Sequence, residues 1–126
     1  MKLKDIEIVV ISDEEYGKHL NQLFERIKRG EIREPEPNKI VARTAEDIGK
    51  ILTRERLRIL AIIKEKKPES ISDLARLLKR QESIVHNDLT FSEGIGLLEF
   101  KEDKNYVKKM PVVDYDALHI TVPLTA

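Results

Sequence analysis

The sequence predicts an α+β fold in two parts, an amino-terminal strand-helix-strand module over residues 1–43 and a second domain over residues 44–126. Three observations favour this. A β-branched run near the start leads directly into a helical pattern, several capped helical patterns follow in the middle of the chain, and two short apolar runs flank a charged turn after them. Apolar residues make up 40% of the chain and charged residues 37%, which is typical of a globular protein with a charged surface.

The amino-terminal module begins with a predicted strand at residues 6–11, followed by a helix to about residue 28. Ser12 and Glu15 have the spacing of a capping box. A second strand is predicted at residues 39–42. The helix carries more apolar surface than one strand covers, so another surface must cover the remainder. The second domain of the same chain is one candidate, and a homodimer contact is the one that we expect. The side chains expected at this dimer contact are Tyr16, Leu20, Leu23, Phe24 and Ile27.

The middle of the chain predicts four helices, at residues 45–52, 54–67, 71–78 and 82–93. Their starts are marked by capping residues at Thr44, Thr53 and Ser70. Only three residues separate the last two helices. We expect Leu74 and Leu89 to pack across this turn, and the side chains expected to be buried along the last helix are Ile84, Val85, Leu89 and Phe91.

A β-hairpin and a final strand are predicted at the carboxy-terminal end. Residues 97–100 and 106–110 are strand-like and flank a charged turn. In residues 118–122 apolar and polar side chains alternate, which predicts a half-buried strand with Leu118, Ile120 and Val122 turned inward.

Three helices, the last two joined by a tight turn, and then a hairpin are the element order of a winged helix-turn-helix domain. The turn holds helix 82–93 so that its outer face fits the DNA major groove. We therefore expect a sequence-specific transcriptional regulator that binds double-stranded DNA, with helix 82–93 on the bases and the wing 97–109 on phosphates. Asn87 is the expected base reader, because its amide can both donate to and accept from adenine. The expected DNA-contacting residues are Arg80, Gln81, Ser83, His86, Asn87, Thr90, Lys101, Lys104 and Lys108.

Charge permits this interpretation without demanding it. The net charge is zero, but residues 53–110 carry 13 basic and 10 acidic side chains. Glu82 and Asp88 are acidic near the expected DNA face and count against it. The alternative hypothesis is a winged-helix interaction module that binds a protein partner, such as a toxin or a transcription-complex subunit, without strong DNA binding.

The sequence predicts no enzyme, no cofactor and no metal site. It contains no Gly-rich phosphate loop and no nucleophile elbow, and its three histidines are far apart along the chain. The chain has no cysteine, which favours a reducing compartment, and we expect a cytoplasmic protein. The apolar run at residues 8–11 is too short for a membrane span, so no membrane contact is expected.

Several motifs resemble a prokaryotic, largely archaeal group of predicted MarR-like winged helix-turn-helix transcriptional regulators. The motifs are Leu52-Thr53-Arg54-Glu55-Arg56-Leu57, Lys67-Pro68-Glu69-Ser70-Ile71, Leu74-Ala75-Arg76-Leu77-Leu78, Val85-His86, Asp88, Gly96-Leu97-Leu98, Val113-Asp114-Tyr115-Asp116 and Val122-Pro123-Leu124. The resemblance implies DNA binding by helix 82–93 and, for some members, a role as the antitoxin beside a small toxin.

The chain departs from this group on the expected DNA face. The group usually has Gly-Arg-Asp in the turn, where this chain has Lys79-Arg80-Gln81. This departure predicts a strained left-handed residue and a poorer helix cap. Positions that are often basic are Ser83, Asn87 and Thr90 here. Ser92 replaces a usual leucine, and we expect neighbouring Phe91 to supply the missing apolar volume.

Overall fold

The computed structural model describes residues 5–30, 38–102 and 109–124, and for Leu23 the backbone alone. It contains both helices and strands, in agreement with the predicted α+β class. The elements in chain order are β1 (Ile6–Val10), α1 (Asp13–Lys28), β2 (Lys39–Ala42), α2 (Ala45–Ile51), α3 (Arg54–Lys66), α4 (Ile71–Leu78), α5 (Glu82–Ile95), β3 (Glu99–Glu102), β4 (Lys109–Val112) and β5 (Leu118–Thr121).

The chain divides into two compact units, and the division differs from the predicted one. Of the described residues, one unit contains Leu52–Asp116, and the other combines those between 5 and 51 with those from 117 to 124. The predicted boundary between residues 43 and 44 is therefore replaced by one after α2. The last strand also changes unit, because β5 is hydrogen-bonded to β1 and so belongs to the amino-terminal sheet.

In the unit Leu52–Asp116, α3, α4 and α5 surround an apolar core. The starts of α3 and α4 are capped as predicted, because the Thr53 and Ser70 hydroxyls accept hydrogen bonds from amides three residues later, each at 3.1 Å. Leu74 and Leu89 are both fully buried, which confirms their prediction as core residues. The other buried apolar side chains of this unit are Ile59, Leu60, Ile63, Ala75, Leu78, Val85, Leu97, Leu98, Pro111 and Tyr115.

The turn between α4 and α5 is a Schellman motif that lacks the usual glycine. The Arg80 amide donates to the Ala75 carbonyl at 3.1 Å and the Lys79 amide donates to the Arg76 carbonyl at 3.2 Å. Lys79 adopts the left-handed conformation, with φ of 55° and ψ of 46°. Gln81 then caps α5 without any side-chain hydrogen bond. The strained turn residue and the weak cap predicted from the sequence are thus confirmed.

Burial along α5 differs from the predicted pattern at two positions. Val85 and Leu89 are fully buried, but Ile84 is 45% exposed and Phe91 43% exposed. The buried residue at this end of the helix is Ser92, whose hydroxyl donates to the Asp88 carbonyl at 2.9 Å. The expectation that Phe91 fills the place of a leucine is therefore wrong. The small hydroxyl side chain fits there because its one donor is satisfied within the helix.

The hairpin lies two or three residues further along the chain than predicted. β3 and β4 pair antiparallel, with Glu99 opposite Val112 and Glu102 opposite Lys109. The apolar residues at 97 and 98 are core residues that connect α5 to the hairpin. Behind the hairpin, the hydroxyl of buried Tyr115 donates to the Leu97 carbonyl at 2.7 Å.

The second unit is a three-stranded parallel sheet in the order β2-β1-β5. α1 connects β1 to β2 as a crossover helix, the connection that neighbouring parallel strands require. Its predicted cap is confirmed, since the Glu15 amide donates to the Ser12 hydroxyl at 3.1 Å. α2 begins at the predicted Thr44 cap. The buried apolar side chains of this unit are Ile6, Ile8, Ile40, Ala42 and Ile48.

β5 is not the half-buried strand that alternation predicted. Its register places Ile120 beside Ile8 of β1. Ile8 is fully buried, yet Ile120 is 50% exposed and Val122 45% exposed. Alternation correctly identified a strand with one apolar face, but a strand at the edge of a sheet leaves that face partly uncovered.

Candidate nucleic-acid interface

The outward face of α5 carries the polar residues that the sequence predicted there. Val85 and Leu89 anchor the helix by complete burial, which turns the opposite side of the helix to solvent. Within the described part of the chain, the side chains of Ser83 and Asn87 form no hydrogen bond, so their donors and acceptors face solvent. The predicted contact residues exposed on α5 are Ser83, His86, Asn87 and Thr90.

These residues differ in what they can offer a ligand. Asn87 presents an amide with two donor hydrogens and an acceptor oxygen. The Thr90 hydroxyl already donates to the His86 carbonyl at 2.9 Å, so it retains only its acceptor capacity. Ser83, one turn before Asn87, can both donate and accept. The face is therefore neutral and rich in hydrogen-bonding groups.

Arg80 is less available than the sequence suggested. Its Nη1 lies 3.2 Å from Glu55 Oε1 on α3, at ion-pair distance. Nη1 is buried and makes no well-aligned hydrogen bond within the described residues. The same Glu55 oxygen also accepts a hydrogen bond from Arg58 at 3.3 Å. Arg80 thus ties the turn to α3, and a contact with an outside anion would compete with Glu55.

The exposed cations at this turn come from the end of α4. Arg76 and Lys79 are both exposed, although Arg76 donates a hydrogen bond to Asp73. They border an open depression of about 560 Å³ at the start of α5. Predicted contact residue Gln81 is exposed beside it. The residues that line the depression are Ser72, Ala75, Arg76, Lys79, Arg80, Gln81 and Glu82.

The two acidic residues that counted against DNA binding are both engaged with neighbouring helices. Asp88 Oδ1 lies 2.7 Å from Arg56 Nε of α3, and both side chains are more than four-fifths buried. Glu82 accepts a hydrogen bond from the Ser72 hydroxyl at 2.9 Å. The charge of Asp88 is therefore neutralised away from the outward face of α5, and only Glu82 stays exposed beside it.

Arg56 is a residue that sequence reasoning missed. Besides pairing with Asp88, its guanidinium lies 4.3 Å from the centre of the Phe91 ring. The stacking explains how Phe91 can stay at the surface, because the planar cation covers part of the ring. Asp88 and Phe91 are three residues apart and share one side of α5, and this spacing was the only signal in the sequence for a common partner. The partner, Arg56, lies 32 residues before Asp88.

The hairpin contributes one described cation of the predicted set. Lys101 is exposed on β3. Lys104 and Lys108, the other two predicted phosphate contacts, lie outside the described residues. Lys109 on β4 places its ammonium 5.9 Å from the centre of the Phe100 ring.

The predicted dimer residues on α1 are only partly free. Tyr16 and Leu20 are half-buried, and the Arg43 guanidinium lies 5.2 Å from the centre of the Tyr16 ring. Phe24 and Ile27 remain 58% and 59% exposed. The side chain of Leu23 lies outside the described residues. Two adjacent apolar side chains thus remain open near the end of the helix.

Neither a metal centre nor a membrane-spanning helix occurs in the described ranges. Among residues 5–30, 38–102 and 109–124, no three histidine or acidic side chains are grouped so that they could hold a metal ion. The helices within those ranges are too short or too polar to cross a bilayer. His119 instead pairs with Asp5, with 2.9 Å between Nε2 and Oδ2.

A family model, HVO_A0114, matches residues 51–120. The matched stretch contains the three-helix core, the hairpin and most of β5, so it includes the α5 face described above. No match was found among curated proteins or among solved structures. Because the matched residues make up more than half of the sequence, the chain belongs to the HVO_A0114 family.

Proposed function

We propose that the chain is a winged helix-turn-helix transcriptional regulator that binds double-stranded DNA and places α5 in the major groove. The observation that carries the proposal is the outward face of α5. Its buried side is fixed by Val85 and Leu89, and its solvent side presents Ser83 and Asn87 with unused hydrogen-bonding groups. Side chains of this kind discriminate between base pairs by forming hydrogen bonds with the base edges in the major groove.

Local charge supports the proposal more than the net charge of zero does. Asp88 is neutralised by Arg56, so of the two acidic residues that counted against DNA binding only Glu82 remains exposed. The phosphate contacts at the turn fall to the exposed Arg76 and Lys79, since Arg80 is held by Glu55. Lys101 contributes from the hairpin. Phosphate contacts of this type position the protein without specifying sequence.

The regulator would act as a homodimer. Residues 53–110 have a basic surplus of only three, which supports few phosphate contacts, and pairing two α5 helices on half-sites one helical turn apart would double them. Phe24 and Ile27 on α1 provide exposed apolar surface for such pairing. The resemblance to MarR-like regulators adds the possibility of an antitoxin that regulates its own expression beside a toxin partner.

Asn87→Ala tests the proposal against a duplex enriched from a random-sequence library. We expect this variant to lose about 1–3 kcal/mol of discrimination at one base pair, because the bidentate amide contact is removed. The matched control is Lys101→Ala, which should weaken enriched and scrambled duplexes equally and reduce the salt dependence. Titrations of both variants with the enriched and the scrambled duplex measure these changes in affinity. Uniform loss of affinity in both would contradict the assignment of Asn87 as a base reader.

A second candidate function is favoured by the apolar surface of the same helix. α5 carries no lysine or arginine, and Ile84 and Phe91 are exposed on it. A winged-helix module that binds a protein partner would use such side chains as anchors. The two functions differ in salt response: DNA binding weakens steeply as salt rises, whereas an interface with apolar anchors is much less sensitive. Partner binding lost in Ile84→Lys but kept in Asn87→Ala would support this second function.

A further inference from the structure

The parallel sheet has two edges, and they differ in how they are protected. In the order β2-β1-β5, the edge strands are β2 and β5. Edge strands expose unpaired backbone groups, and proteins commonly protect them with lysine or proline. β2 carries the exposed Lys39. β5 reads Leu-His-Ile-Thr and contains neither residue type, so its edge lacks this protection.

The backbone of β5 shows which residues point away from the sheet. The Ile6 amide donates to the Ala117 carbonyl at 3.3 Å, so residue 117 directs its backbone groups toward β1. Along a strand, the amide and carbonyl of successive residues point alternately to one edge and to the other. Residues 119 and 121 therefore also face β1. The amides and carbonyls of Leu118 and Ile120, and of Val122 if the strand continues, point outward.

The apolar face of the sheet is incomplete at this same edge. Ile8 of β1 and Ile40 of β2 are buried, and α1 crosses between these two strands. β5 lies on the other side of β1 from β2, the strand to which α1 leads. Ile120 continues the row of Ile40 and Ile8 but is 50% exposed. On the opposite face the Thr121 hydroxyl donates to Glu7 at 3.3 Å, and Thr121 lies in register with Val9 and Val41.

We propose that a second copy of the chain pairs with β5 at this edge, antiparallel and about a two-fold axis at Ile120. The two sheets then join into one of six strands. In this register Ile120 lies opposite itself and Leu118 lies opposite Val122, so all apolar side chains share one face. The outward-pointing backbone groups meet as hydrogen-bonded pairs and form about six bonds.

The segment itself favours a second copy as the occupant. The five residues from Leu118 to Val122 have an apolar-polar pattern that reads the same in both directions, so two copies match when they run antiparallel. A two-fold contact requires this kind of self-complementary surface. The neighbouring register, in which His119 lies opposite itself, would leave Val122 unpaired and form about four bonds. This pairing places the homodimer contact of the proposed function on β5 in place of α1, and it does not depend on DNA being the ligand.

A single introduced cysteine tests the register, because the chain contains none of its own. In a hydrogen-bonded pair of antiparallel strands the facing Cβ atoms are about 5.5 Å apart, wider than the roughly 3.5–4.5 Å of a relaxed disulfide. We therefore expect a short bifunctional thiol reagent, rather than oxidation, to convert most of the Ile120→Cys chain to a covalent dimer. The matched control is Lys39→Cys on β2, which is an exposed edge position too and should remain single-chain. Equal cross-linking of the two variants, or none in either, would overturn the pairing.

A lysine on β5 tests the contact without cross-linking. Light scattering should find the parent chain dimeric and Ile120→Lys monomeric at the same concentration, with unchanged circular dichroism. Thr121→Lys places the same charge on the polar face of the same strand and should stay dimeric. A monomeric parent, or a dimeric Ile120→Lys, would refute the proposal. If Phe24→Lys dissociates the dimer and Ile120→Lys has no effect, the contact lies on α1 alone, and the proposed strand pairing is refuted as well.

The two proposals can fail separately. A dimer that cross-links through residue 120 but shows no sequence preference for duplex DNA would overturn the proposed function and leave the strand pairing intact. If the chain binds DNA sequence-specifically but its dimer survives Ile120→Lys, the strand pairing is overturned and the proposed function stands.

Discussion

The turn between α4 and α5 should become more stable when its two unfavourable residues are replaced. Lys79 is left-handed, with φ of 55°. Such a conformation costs a residue with a side chain about 1–2 kcal/mol, and glycine avoids this cost. Glycine also loses more freedom on folding, roughly 0.5–1 kcal/mol. Lys79→Gly should therefore raise the free energy of unfolding by about 0.5–1 kcal/mol.

Gln81→Asp should add a further gain at the start of α5. Gln81 is already extended, with φ of −64° and ψ of 137°, but provides no side-chain hydrogen bond to the helix. An aspartate there can accept from the free amides of the first turn, which stabilises a helix by about 1 kcal/mol, and its negative charge is favourable at a helix start. The double variant should gain about 1.5–2 kcal/mol if the two effects add.

Urea denaturation of the single and double variants measures these gains as differences in the free energy of unfolding. Gln81→Ala is the control for the cap, and it should be nearly neutral because no cap bond is lost. Lys67→Gly is the control for the left-handed residue, since Lys67 has φ of 48° at the end of α3 and should gain by the same mechanism. A destabilised Lys79→Gly, or a Gln81→Asp variant no more stable than Gln81→Ala, would refute the reasoning.

Two further predictions concern the core. Leu74→Ala and Leu89→Ala should each cost about 2–5 kcal/mol in urea denaturation because both side chains are fully buried, whereas Leu77→Ala on an exposed side of α4 should cost much less; equal losses in all three would contradict the observed burial. Burial raises the pKa of Tyr115 from 10.0 to about 12. The unfolded chain therefore releases this proton first, so the contribution of Tyr115 to stability is complete below pH 10.0 and is lost as the pH rises toward about 12. Unfolding measured across that range should show the loss, and Tyr115→Phe should remove that part of it.

Local chemistry in the sequence determined the helices and their starts. Ser12, Thr44, Thr53 and Ser70 were all identified as caps, and each accepts the expected backbone hydrogen bond. A cap depends on residues three apart along the chain, so the sequence contains everything that the interaction needs. The same holds for the weak cap at Gln81.

The buried residues could be predicted only where the apolar residues recur at regular helical spacing and define one face of the helix. Leu74 and Leu89 lie on unambiguous apolar faces and are fully buried. Phe91 and Ser92 are neighbours at the margin of such a face, and the apolar residue was expected inside. Arg56 decided the outcome, because its guanidinium stacks on Phe91 and pairs with Asp88. No local pattern joins residues so far apart in sequence.

Tertiary structure alone decided where the final strand lies. The alternation of residues 118–122 identifies a strand and its apolar face, but it does not name the strand that will pair with it. β5 pairs in parallel with β1, more than a hundred residues earlier, and so moves from the predicted second domain into the amino-terminal sheet. Backbone hydrogen bonds are chemically the same at every residue, so the choice of partner depends on which chain segments meet in space. The sequence by itself determined that Ile120 belongs to an apolar face, and only the sheet order left that face open at an edge.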